Sequence, residues 1–529
     1  MLFNSLIFLW LFLPLALGGY YLLGAWRPLA AGAWLCLASL VFYGWWNPYF
    51  VILLMISVTV NYAIGLAILA SEKRPRTQLW ILTIGIVANL SVLFYYKYLV
   101  ALLTFLAGFE LVSHSISELI LPLGISFFTF TQLGYLLDCR AGVVRERGFV
   151  SYVLFVTFFP HLIAGPILHH KEMMPQFSNR ESYRLKSENL SIGGALFVIG
   201  LAKKVLLADG IAPWAEEGFD HPGGQQALAA WGTSLAYALQ LYFDFSGYSD
   251  MAMGLSKMFG IRFPLNFNSP YKSTGIIEFW QRFHMTLTRY LTAYLYNPIA
   301  LAIVRARAGK GLLVGRKATA TIGGFASMVG FPTIFTMGLA GIWHGAGSQF
   351  LIFGLLHGVY LTINHAWRIF GPPRDIPNSR FVHACYVLLT FSSVVIALIF
   401  FRAHSSSDAF SLLAGMFGMR GIESLDHILF PITTLLQGST YSVSEVARMF
   451  IERWSQGLLI AFLLFIVWWA PNANQIMNIH SPALEGPDDI APHWLRWQPT
   501  PAWTLFITVL LLYSMLHLHK TARFLYFQF

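Results

Sequence analysis

Apolar runs of roughly bilayer-crossing length recur along almost the whole chain, divided by short polar stretches. A hydrocarbon core takes about 20 consecutive apolar residues, and inside it every backbone polar group needs an internal partner, so such runs must be helical. We therefore expect an all-α polytopic membrane protein of roughly 11–12 transmembrane helices. The spans fall near 3–25, 29–46, 48–70, 79–107, 117–138, 190–210, 226–248, 319–341, 348–368, 381–401, 456–473 and 501–518. The first lacks a basic leader and a small-residue cleavage site, so it reads as a span and not a signal peptide. Residues 1–529 read as a single integral membrane domain with two polar interruptions. The segment 402–454 is expected as a periplasmic loop with amphipathic pieces, and 474–500, rich in Pro, Asn and Asp, as a cytoplasmic loop.

Composition sharpens this picture. With 57% hydrophobic and 11% charged residues, the chain carries more apolar surface than a water-soluble domain can bury, so membrane lipid is its solvent. The net charge of +10 would suit nucleic acid only on a continuous basic face. Here the cations cluster in short loops and report topology instead. Arg27, Lys73, Arg74, Arg76, Arg140, Arg145 and Arg147 follow alternate spans, whereas the intervening loops carry Glu110 and Glu118. The N-terminus is thus expected outside, and Lys257, Arg262, Lys272, Arg282 and the RARAGKG stretch inside. No nucleic-acid partner is expected. Cys36, Cys139 and Cys385 are too scattered for a disulfide framework or a zinc cluster.

Residues 240–300 are too polar to span and too aromatic for an ordinary loop. From Glu278 to Tyr296 the pattern is helical, with Glu278 and Arg282 as an i, i+4 pair and His284 beside Phe283, as a satisfied interfacial histidine or a functional one. In 335–358, His344 falls between two apolar segments among Gly338, Gly341, Gly345 and Gly347. Small residues permit close backbone approach, and an ionisable side chain at membrane depth is a functional candidate by default. His357 and His365 lack a nearby carboxylate or thiolate, so no metal is expected. Asp244 and Asp250 lie on a segment expected to turn at Gly247, as caps, ion-pair partners or orienting groups. Residues 158–177, broken at Pro160, Gly165 and Pro166, read as a re-entrant or interfacial element, and Lys203 and Lys204 as snorkelling or phosphate-contacting.

At these same residues the chain resembles the membrane-bound O-acyltransferase family, in its bacterial branch of alginate O-acetylation proteins. The resemblance rests on FYGWWNPYF (42–50), FYYKYL (94–99), LPLGISFFTF (121–130), FPHLIAGPI (159–167), YFDFSGYSDMAMG (242–254), FNSPY (267–271), FWQRFH (279–284), IWHGA (342–346) and FFRAHSSSDA (400–409), in family order. Gln281 and Phe283 stand where the family has Arg and Trp. The resemblance implies helices and re-entrant elements around a central polar funnel, His344 as the catalytic residue and His284 as the second histidine of the site.

It also implies a thioester donor, acetyl-coenzyme A, with no bound cofactor, and a bacterial inner-membrane location. A periplasmic transferase partner would pass the acetyl group to a polysaccharide. Arg282, Arg289, Lys272 and Asp244 are the expected donor-binding residues. D-alanyl transfer to teichoic acid and acetyl transfer to peptidoglycan are competing activities. A transporter or a scaffold of a polysaccharide export complex is the non-enzymatic alternative, against which no inverted repeat is found.

Overall fold

The computed structural model describes all residues except 108, 110–118, 372–378, 424–442, 488, 519–524 and 526–529, and the backbone alone for 443–453. Glu110, Glu118 and the middle of the expected 402–454 loop lie outside the described residues. What is described is helix and loop, without a strand.

Seven described helices are long and apolar enough to cross a membrane: Phe8–Trp26, Tyr49–Ala70, Pro75–Lys97, Ser187–Asp220, Ile322–His344, Ser348–Phe370 and Arg380–Arg402. They match seven of the twelve expected spans. Trp454–Trp469 and Ala473–His480 form an eighth only as a pair bent by 44°. Pro28–Gly44, Ile125–Arg140 and Pro501–Leu516, at 17, 16 and 16 residues, fall short of full crossing length. Ala227–Met258 is long, at 32 residues, but polar. Large apolar side chains on the outer surface, such as Leu22 (77% exposed) and Ile322 (84%), need a lipid solvent.

The Ser187–Ala202 and Ala227–Met258 helices form the central pair, and small residues let them touch backbone to backbone. A Cβ on Gly193 would lie 2.5 Å from the Gly254 carbonyl, and one on Gly200 would lie 2.6 Å from that of Gly247. The second helix therefore runs straight through Gly247, where a turn was expected. That glycine serves close packing, not chain reversal. Residues 158–177 are broken, with a short Phe159–Leu162 helix, a buried irregular stretch and the start of the His170–Ser178 helix. Irregular backbone at this depth survives because protein surrounds it.

Candidate active site

The expected continuous helix from Glu278 to Tyr296 is in fact broken, and the break is the site. Ile276–Arg282 stops and Met285–Leu291 starts around His284, whose φ of 45° is left-handed. A non-glycine residue pays roughly 1–2 kcal/mol for that conformation, so neighbours must hold it. Buried Asn266 does so. Its carbonyl accepts from the Met285 N–H (2.9 Å), while its Oδ1 accepts from the Thr286 hydroxyl (2.8 Å) and from His284 Nδ1 (3.1 Å). An amide oxygen only accepts, so Nδ1 carries the proton and Nε2 the lone pair. Phe245 meets the ring edge-on, with centroids 4.8 Å apart.

His344 is the last residue of the Phe331–His344 helix. The glycines around it are close-packing positions: a Cβ on Gly341 would meet the Gly354 Cα at 2.9 Å, and one on Gly345 would enter the Phe350 ring. This packing carries the helix end against Ser348–Phe370 and sets His344 edge-on to Phe401, with centroids 4.9 Å apart. His344 and His284, far apart in sequence, are both buried, at 7% and 2% exposure. The Nδ1 of His357 accepts from the Trp280 indole N–H at 3.2 Å and so anchors the Ile276–Arg282 helix.

Two cavities lie beside these elements. One, of about 590 Å³, is lined by His344 with Trp343, Lys97, Ser126, Trp45 and Met1. The other, of about 770 Å³, is lined by Met285 and Thr286, next to His284, together with Arg282, Arg289, Gln281 and Glu485. His344 thus lines the first chamber, and the two residues that follow His284 line the second.

Of the expected donor ligands, Arg282 and Arg289 reach the second cavity, but both are tied down. Arg282 pairs with Glu278 at 2.9 Å, and Arg289 holds Glu172 through two bonds of 2.6 and 2.8 Å. Lys272 lies apart, donating to the Ala470 carbonyl at 2.8 Å. Burial, then the nearby Arg282, lowers its pKa from the ordinary lysine value. Asp244, expected at the donor mouth, is placed elsewhere. It is buried against Lys204 at 2.6 Å and accepts from the Leu525 N–H. Lys204 also bonds Asp209, and Lys203 bonds Asp250, each at 2.6 Å. Neither lysine snorkels, because carboxylates on the facing helix and its own satisfy them inside the bundle.

The family model for the membrane-bound O-acyltransferases matches residues 136–313, which include His284 and the whole second chamber apart from 485–487. The chain is 40% identical to the peptidoglycan O-acetyltransferase of Helicobacter pylori, over 81% of this chain and 82% of that protein.

It belongs to the membrane-bound O-acyltransferase family.

Across its full length this acyltransferase is also 36% identical to the Azotobacter vinelandii protein named "Probable alginate O-acetylase AlgI". It shares 26% identity with the teichoic acid D-alanyltransferase of Streptococcus thermophilus over 59% of this chain and 76% of that one. It is a multi-pass membrane O-acyltransferase.

Sequence reasoning missed Asn266 as the residue that orients His284, although a polar amide inside the apolar run PLNF was the available signal. In Asn266→Ala the His284 ring loses its anchor and its tautomer. We expect acyl transfer to fall by up to about 10²-fold, measured as turnover at matched folded protein.

Proposed function

We propose that this acyltransferase takes an acetyl group from cytoplasmic acetyl-coenzyme A and delivers it across the inner membrane for O-acetylation of a cell-surface or exported polysaccharide, acting with a periplasmic transferase. The observation that carries the reading is a pair of chambers, one lined by His344 and the other by Met285 and Thr286, which follow His284. By the positive-inside rule the chamber with Arg282 and Arg289 faces the cytoplasm and the one with Met1 and Trp45 faces out. The thioester enters the first. An acceptor hydroxyl, presented from the second, attacks the thioester carbonyl; the new C–O bond forms as the C–S bond breaks. His344 takes the hydroxyl proton and returns it to the departing thiolate, so the step is balanced and calls for no resident cofactor. His284, with its lone pair fixed by Asn266, orients the donor. Arg282 and Arg289 serve as the charged rim, with Glu278 and Glu172 holding their forks in place until phosphate competes for them.

Acetyl as the group moved is supported by the names of the two relatives at 36–40% identity. The Helicobacter pylori relative favours a second reading of the acceptor, in which peptidoglycan replaces an exported polysaccharide. The deciding experiment deletes the gene in its host and measures acetyl esters on purified peptidoglycan and on exopolysaccharide separately. The pool that loses esters, and regains them on complementation, names the acceptor. Loss of D-alanyl esters with acetyl esters intact would sink the acetyl reading.

A further inference from the structure

The Phe331–His344 helix ends inside the protein, and its last carbonyls have no partner within the helix. One of them, the Trp343 carbonyl, belongs to the peptide that joins Trp343 to His344. The Lys97 ammonium donates to it at 2.5 Å. The neighbouring Tyr98 hydroxyl donates to the Ile342 carbonyl at 3.0 Å. Lys97 also lies 5.7 Å from the centre of the Trp343 ring. Two consecutive residues at the end of the Pro75–Lys97 helix thus clamp the two peptides leading into His344, from more than 240 positions away.

Lys97 is part-buried, and an ammonium taken out of water is a costly way to cap a helix when a serine or a water would serve. Lys97 lines the same outward chamber as His344, and among the described residues no Asp or Glu lines that chamber. Its charge is therefore spent on the carbonyl dipoles of this helix end and on the chamber itself.

We propose that Lys97 is a positioning residue for acyl transfer, holding the Trp343–His344 peptide so that the His344 ring stays fixed at the floor of the outward chamber. The inference rests on the reading of His344 as the proton acceptor. A ring free to swing by an ångström loses its alignment with the attacking hydroxyl, at a cost of roughly 10²-fold in rate.

The test uses the full chain in inside-out membrane vesicles supplied with acetyl-coenzyme A labelled in its acetyl group. Wild type is compared with Lys97→Met, Lys97→Arg and His344→Gln at matched folded content. Lys97→Met is expected to lose roughly 10²-fold in kcat with an unchanged KM for acetyl-coenzyme A, which enters by the other chamber. Lys97→Arg, whose guanidinium also donates to a carbonyl, is expected to recover to within about tenfold of wild type. An unchanged kcat in Lys97→Met, or an arginine variant no better than the methionine one, overturns the proposal. Hydrogen exchange gives a second readout independent of turnover. Protection of the 342–347 amides falls in Lys97→Met while the other helices keep theirs; unchanged protection there overturns the proposal whatever the vesicles do. A His344→Gln enzyme with wild-type rate sinks the reading of His344, and exchange still decides the clamp.

Discussion

Replacing His344 by glutamine is expected to lower acyl transfer by about 10²- to 10⁴-fold, the usual contribution of a positioned general base, while leaving the protein folded. Glutamine keeps much of the volume against Phe401 and Phe353 and retains hydrogen-bonding capacity, but it cannot take a proton at neutral pH. His344→Ala should lose as much activity and some stability as well, since it also empties a packed position. The check is acetyl ester content of the host's glycans at matched membrane expression. Unchanged esters in both variants would remove His344 from the mechanism. The non-enzymatic alternatives, a transporter or an export scaffold, are set aside by family membership.

Lys204→Met is expected to have the largest effect on stability. Lys204 is 1% exposed and sits between Asp209 and Asp244, each at 2.6 Å. Removing the ammonium leaves two buried carboxylates facing each other with no cation between them. Breaking a buried pair in this way costs roughly 3–5 kcal/mol. The measurement is thermal unfolding of the detergent-solubilised protein, together with the folded yield from membranes. The same experiment decides the part Asp244 plays. Asp244→Asn should lower thermal stability and leave the donor KM unchanged, whereas a donor ligand would raise KM with the melting point intact.

Both histidines could be picked out from the chain, for a physical reason: an ionisable or polar side chain in an apolar setting carries a desolvation cost that must be justified. His344 among its glycines met that criterion plainly. The break at His284 could not be read, because no Gly or Pro marks it and the apolar stripe of Phe279, Phe283, Leu287, Tyr290 and Tyr294 continues across it. The left-handed residue is held by Asn266, which is 18 positions away. Lys203 and Lys204 were misread for a related reason. A lysine near a helix end snorkels unless a carboxylate waits inside, and here Asp209 waits five positions on while Asp244 and Asp250 wait on the Ala227–Met258 helix, more than 40 positions further on for Asp250.

The sequence by itself determined the solvent, the all-α class and the two histidines as candidates for the site, and it set the orientation as an expectation. Those follow from hydropathy, from loop charge and from which side chains cannot rest unpaired in an apolar medium, and each is a local property of the chain. Only the tertiary structure decided which cations pair with carboxylates and which are left to line a chamber. It alone decided that Gly247 is a packing surface and not a turn, and that Lys97 reaches the Trp343 carbonyl beside His344. Those are facts about partners brought together across tens to hundreds of positions, and a burial cost written in the sequence does not say who offsets it.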